Sequence, residues 1–308
     1  MVQTGQQSGL IVAHYGRHFL LETASGRRLI CHTKGKKSLG VVGDHVLWQA
    51  SGDLGTVESI LPRRNLLYRQ DEVRTKSFAA NLDGVLILIA ATPEFSAHQL
   101  SRALVAAEAE RITPVIVLNK SDLTVPFEQA WQRLLPYRQM GYDVLPLSLQ
   151  PASDDHIQGL MQRLEGKTTL VLGPSGAGKS TLINRLIPHA MAQTGEISQA
   201  LKSGKHTTTC TTWYWLDQDG SKTSALIDSP GFQEFGLNHI GAAQLASLMP
   251  DLQAHLAHCR FYNCSHRHEP GCKVIAAVRT DDSPTGISPS RYQIYCDLHT
   301  ALCQPQRY

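Results

Sequence analysis

The run Gly173-Pro-Ser-Gly-Ala-Gly-Lys-Ser-Thr181 constrains this chain more than any other feature. It fills the phosphate-loop pattern GxxxxGK[ST] completely. A strand-like stretch, Thr169–Leu172, precedes it, and a helical pattern, Lys179–Leu186, follows. A glycine-rich turn between strand and helix aims backbone N–H groups at phosphates, and the helix N-terminus adds partial positive charge. The run therefore assigns Gly173, Pro174, Ser175, Gly176, Ala177, Gly178, Lys179, Ser180 and Thr181 to nucleotide binding. Lys179 is expected to reach the β- and γ-phosphates, and Ser180 to hold Mg2+. The loop alone does not choose between ATP and GTP.

The surrounding texture is strand–helix alternation. Strands are expected at Val85–Ala91, Val115–Leu118, Val144–Leu147, Thr211–Leu216 and Ala225–Ile227, and helices at Ala97–Arg111, Glu128–Met140 and Ile157–Leu164. Such alternation indicates a parallel sheet covered by helices on both faces.

Asn119-Lys-Ser-Asp122 follows one of these strands and matches the NKxD element of guanine-nucleotide sites. A carboxylate at Asp122 accepts from guanine N1–H and the 2-amino group, a pair adenine does not offer. Polar partners of this kind discriminate strongly, because a wrong base leaves them unpaired. Asn119 is expected to brace the loop, Lys120 to cover the ring and Ser121 to complete the element. Ser148 stands where a weaker base-contacting element falls, or in a plain turn. Asp228-Ser-Pro-Gly231 matches DxxG, with Asp228 acting on Mg2+ through water and the Gly231 amide sensing the γ-phosphate. Between them lies His206-Thr-Thr-Thr209, where Thr208 or Thr209 completes the Mg2+ shell. Many GTPases place a water-orienting glutamine just after DxxG. Here Phe232 stands there, so intrinsic hydrolysis is expected to be slow. His206 is the candidate that positions water, which makes His206, Lys179, Thr208 and Thr209 the catalytic set. The order NKxD, phosphate loop, DxxG is circularly permuted, and permutation is tolerated where termini lie close on the surface.

The chain has 308 residues, 42% hydrophobic and 18% charged, enough for two or three cored domains and unlike disordered or fibrous classes. No apolar run approaches the roughly 20 residues of a spanning helix, and the polar Met1–Gly9 is unlike a signal peptide. A cytoplasmic protein with no membrane contact is expected. Residues 8–60 read as five short strands punctuated by glycines, which suggests a small closed barrel, the OB-fold leading. Residues 1–70 carry nine Lys/Arg against four acids, a charge that suits a phosphate backbone. Pro62–Gln70 reads as a linker. Near the other end, Cys259, Cys264, His266 and Cys272 form C-x4-C-x-H-x5-C, with His268, His255 and His258 as competing ligands. Three thiolates and an imidazole suit structural zinc.

A basic barrel, a permuted GTPase and this cysteine cluster, in that order, resemble the ribosome small-subunit-dependent GTPase family (RsgA/YjeQ type). The supporting residues are Val42-Gly43-Asp44, Asn119–Asp122, Gly173–Thr181, His206–Thr209 and Asp228–Gly231. The expected fold is a circularly permuted α/β P-loop GTPase with an N-terminal OB-fold β-barrel and a C-terminal zinc-binding domain. Its expected units are residues 1–67, 68–237 and 238–308, the last helical. The resemblance implies GTP/GDP with Mg2+, one structural Zn2+, and GTP hydrolysis stimulated by the small ribosomal subunit late in its maturation. It further implies contacts to ribosomal RNA by the barrel and zinc domain. A monomer is expected. The alternative is an RNA-binding P-loop NTPase with a different RNA or protein activator.

Overall fold

The computed structural model describes residues 6–15, 18–33, 40–52, 54–71, 75–150, 154–188, 190, 210–217, 220–230, 235–279 and 286–304. Five strands open the chain: β1 (Gln7–Tyr15), β2 (His18–Thr23), β3 (Arg28–Thr33), β4 (His45–Ser51) and β5 (Leu54–Ile60). They pair β1-β2-β3-β5-β4, and β4 returns to β1, which closes the barrel. The β3–β5 pair is parallel and the others antiparallel. Alternate residues point inward, so Ile11, Phe19, Leu21, Cys31, Val46, Trp48 and Val57 form one buried cluster. This is the period-two burial that a closed barrel demands. Buried Asp44 accepts from Arg63 Nε and Nη2, each at 2.7 Å, and from the Val41 amide at 2.8 Å.

The expected linker over Pro62–Gln70 is corrected. Leu66–Gln70 is a strand, β6, paired antiparallel with β7 (Thr75–Ala80). Asn81 ties this hairpin to the barrel, donating from Nδ2 to the Gly43 carbonyl at 2.8 Å and accepting from the Arg64 amide at 2.8 Å. Short, charged strands carry little periodic signal, so their pairing rests on these tertiary contacts.

The nucleotide-type sheet runs β10 (Asp143–Leu147), β9 (Thr113–Asn119), β8 (Gly84–Ala90), β11 (Thr168–Leu172), β13 (Ala225–Asp228), β12 (Thr212–Trp215). The first five are parallel and β12 is antiparallel to β13. Every residue of the central strand β8 is buried, as its unbroken apolar sequence requires. Helices α1 (Ala97–Ala109), α2 (Thr124–Arg133), α3 (Leu135–Gln139), α4 (Asp154–Leu164) and α5 (Lys179–Leu186) connect the strands. The single helix expected over Glu128–Met140 is two, divided at Leu134. Pro136 has no N–H to continue the ladder, so the chain restarts there.

β12 meets the barrel at one bridge, Thr212 to Ala13. Buried Glu22 reinforces the junction, accepting from Lys222 Nζ at 2.7 Å, Trp215 Nε1 at 3.0 Å and Arg28 Nε at 2.8 Å. Beyond the sheet lie a 3-10 helix (Ala242–Leu248), α6 (Pro250–Leu256), α7 (Lys273–Ala276) and α8 (Pro289–Cys303). Buried Arg291 of α8 joins this region to the sheet, donating to Asp251 Oδ2 at 2.9 Å and to Ser101 Oγ of α1 at 2.6 Å. No helix among the described residues is long and apolar enough to cross a membrane.

Candidate functional site

The motif residues of the sheet gather at the carboxyl ends of its parallel strands, where open α/β sheets bind ligands. Asn119 ends β9 opposite Leu147 of β10, and Asp228 ends β13 beside Val171 of β11. The segment from β11 to α5 turns through Gly178, whose φ of 101° suits glycine. A Cβ there would stand 2.5 Å from the Asn119 amide nitrogen. That close approach matters, because Asn119 Nδ2 donates to the Ala177 carbonyl at 2.9 Å and so fastens the NKxD segment to the phosphate loop. A Cβ at Gly173 would overlap the Leu88 carbonyl of β8.

Asp122 has a side-chain partner in Ser148. Ser148 is buried, and its hydroxyl donates to Asp122 Oδ1 at 2.9 Å. The Ser121 amide donates to the Leu147 carbonyl at 3.0 Å. Ser148 is thus a partner of the Asp122 carboxylate as well as a strand-end residue. The Lys120 ammonium donates to the Thr92 carbonyl, from the loop after β8. That loop carries no motif; its position at the end of the central strand is the only sequence signal for it.

Lys179 Nζ donates to the carbonyls of Gly173 and Pro174 at 2.7 and 3.0 Å. Burial lowers its pKa, and the Asp228 charge opposes that shift. Burial pushes the Asp228 carboxyl up to about 6, against Lys179 and the Ser229 amide. Each group is therefore short of counter-charge: the ammonium suits an added anion and the carboxylate an added cation. A magnesium–triphosphate pair fits that need, and Ser180 stands exposed in the first turn of α5. Ser229 Oγ donates to the Val171 carbonyl at 2.7 Å and holds the end of β13 against β11. His206, Thr208, Thr209, Gly231 and Phe232 lie outside the described residues.

The second site is the cysteine cluster. One donor atom from each of Cys259, Cys264, His266 and Cys272 lies within 4.8 Å of all the others. Cys259 and Cys272 sulfurs are 4.0 Å apart, and His266 Nδ1 is 3.6 and 3.5 Å from them. Zinc–sulfur bonds of about 2.3 Å require tetrahedral edges of about 3.8 Å, so the donor set fits a closed tetrahedral site. Burial raises the Cys259 thiol pKa, but the Lys273 and Val274 amides outweigh it and favour the thiolate. The Ile275 amide donates to Cys272 Sγ at 3.4 Å. Glu269 accepts from the Ser265, Arg267 and His268 amides and shapes the loop around His266. The competing histidines His255, His258 and His268 are not part of this donor set.

Comparison with known proteins agrees with this architecture. The family model described as RsgA GTPase matches residues 60–238. The small ribosomal subunit biogenesis GTPase RsgA of Variovorax paradoxus is 66% identical over 296 residues, covering 96% of this chain and 92% of that protein. Its counterpart from Burkholderia pseudomallei is 50% identical over 292 residues, covering 94% and 90%. Among solved structures, YloQ, described as a circularly permuted GTPase, aligns at a TM-score of 0.70 and 26% identity over 99% of this chain and 98% of its own. YjeQ from Thermotoga maritima aligns at 0.74 and 27% identity over 98% and 100%. With that match across most of its length, and with the permuted motifs assembled on one sheet edge, the chain belongs to the RsgA GTPase family.

Proposed function

We propose that this protein binds the small ribosomal subunit late in its maturation and hydrolyses GTP when the subunit stimulates it. The observation that carries this reading is the Asn119–Ala177 hydrogen bond, which joins base-reading and phosphate-binding segments of reversed chain order into one site. The names of the two bacterial relatives supply the ribosomal half.

In this reading Asp122, held by Ser148, accepts from guanine, Asn119 braces the loop, and Lys120 covers the base with Ser121 beside it. Backbone N–H groups of the Gly173–Thr181 run, those of Pro174 excepted because proline has none, and the Lys179 ammonium hold the phosphates. Ser180 and Asp228 hold Mg2+, the latter through water, with Thr208 or Thr209 completing the shell and Gly231 meeting the γ-phosphate. Bound Mg·GTP supplies a neutralised phosphoryl group open to attack by water. His206 positions that water, a task Phe232 cannot perform, so turnover stays slow without the subunit. Cys259, Cys264, His266 and Cys272 hold a structural zinc. The protein works as a cytoplasmic monomer that meets ribosomal RNA through its barrel and zinc region. Residues 1–67, 68–237 and 238–308 serve as its working units.

Co-sedimentation tests the partner. With a non-hydrolysable GTP analogue the protein should travel with small subunits and not with large ones, and GDP should release it. Equal sedimentation with both subunits would contradict the reading.

A further inference from the structure

The loop between the first two zinc-type ligands carries two aromatic side chains that the fold does not use. Phe261 is 40% exposed, and Tyr262 is exposed as fully as a free residue. Large apolar rings are usually covered, and a wholly exposed ring contributes nothing to the core. Both ends of the loop are nevertheless fixed, since Cys259 and Cys264 belong to the donor cluster and the Cys264 amide donates to the Phe261 carbonyl at 3.3 Å. The rings are thus presented on a short, pinned turn, which lowers the ordering cost of binding.

Cations outnumber acids around them. The Arg260 guanidinium lies over the Phe261 ring, 5.4 Å from its centroid. Arg267 and Lys273 are also exposed on this knuckle. The single acid between Cys259 and Lys273 is Glu269, whose carboxylate is occupied by three backbone amides. An exposed aromatic pair on a short turn bordered by cations is the composition that stacks an unpaired nucleobase and neutralises its phosphates.

We propose that the Phe261–Tyr262 turn is a stacking platform for an unpaired base of RNA, with Tyr262 as the contact face and Arg260, Arg267 and Lys273 as phosphate partners. This rests on the proposed ribosomal function and narrows it to one turn and one kind of nucleic-acid element. The Arg260 guanidinium already lies over the Phe261 ring, so Tyr262 is the ring left to meet a base.

The test measures affinity for purified small subunits in the presence of a GTP analogue, for the full-length wild type and for Tyr262→Phe, Tyr262→Leu and Tyr262→Ala. Zinc content and unstimulated GTP hydrolysis are recorded for each and should be unchanged, because Tyr262 touches neither site. Stacking predicts that the phenylalanine variant binds within twofold of wild type. The leucine and alanine variants should bind about fivefold to a hundredfold more weakly, the range of one base–aromatic stack. Leucine binding like wild type while alanine weakens would mean an apolar protein contact and would overturn the proposal. So would equal affinity for all four proteins. Failure of the wild type itself to bind small subunits would refute the ribosomal reading, and the proposal with it.

Discussion

At the scale of single residues, the site depends on side chains that hold one another before any nucleotide arrives. Ser148 orients Asp122, and Asn119 fastens its own segment to Ala177. Ser148→Ala should raise the dissociation constant for GDP by about twofold to tenfold, the worth of one such hydrogen bond, and isothermal titration would read it. Asp122→Asn should remove the preference for GDP over ADP, because an amide presents a donor where guanine also presents one. His206→Ala should leave GDP affinity as in the wild type and lower subunit-stimulated turnover by roughly 100-fold or more, in the range of a lost general-base or positioning group. The proposed roles of Asp122 and the phosphate loop were legible as motifs, since their residue types follow from the chemistry of guanine and phosphate. It could not separate Ser148 from an ordinary turn serine, because the hydroxyl becomes a partner only when β9 and β10 lie side by side.

At the scale of elements, the barrel touches the sheet through the strand that follows the threonine segment. Ala13 of β1 bridges Thr212 of β12, and β12 runs beside Asp228 of β13. Glu22 closes this junction with Lys222, Arg28 and Trp215. Burial alone would raise its pKa, but these donors outweigh burial and hold it below the ordinary 4.5. A carboxyl depressed in the folded state contributes stability above its unfolded pKa and loses it as pH falls through the folded one. The junction should therefore be whole at neutral pH and loosen below about 4.5. Glu22→Gln should produce the loosening at neutral pH and flatten the acid dependence. Faster amide exchange along β1 and β12, with the barrel core still protected, is the expected result. The order of strands and helices was legible because apolar periods and the phosphate loop mark them. The β6–β7 hairpin was not, since its strands are short, carry Arg69 and Lys76, and owe their pairing to Asn81 and the barrel. The division between α2 and α3 was marked only by Pro136.

At the scale of the whole molecule, the permutation places the Asp228 strand directly before the region that carries the cysteine cluster. Buried Arg291 clamps that region to α1 through Ser101 and binds α8 to α6 within it through Asp251. The nucleotide sheet and the cluster are thus joined, yet their chemistry is separable. Cys264→Ser should lower bound zinc from one equivalent toward none and abolish small-subunit binding. GDP affinity should stay within a factor of two, as read by metal analysis and nucleotide titration on one preparation. The central claim is that a guanine site of permuted order is switched on by a ribosomal target. Its most direct test is the rate of GTP hydrolysis by the purified full-length protein alone, with small subunits and with large subunits. The account predicts slow turnover alone, a large increase with small subunits and none with large ones. Fast turnover by the free protein, or equal stimulation by both subunits, would contradict it.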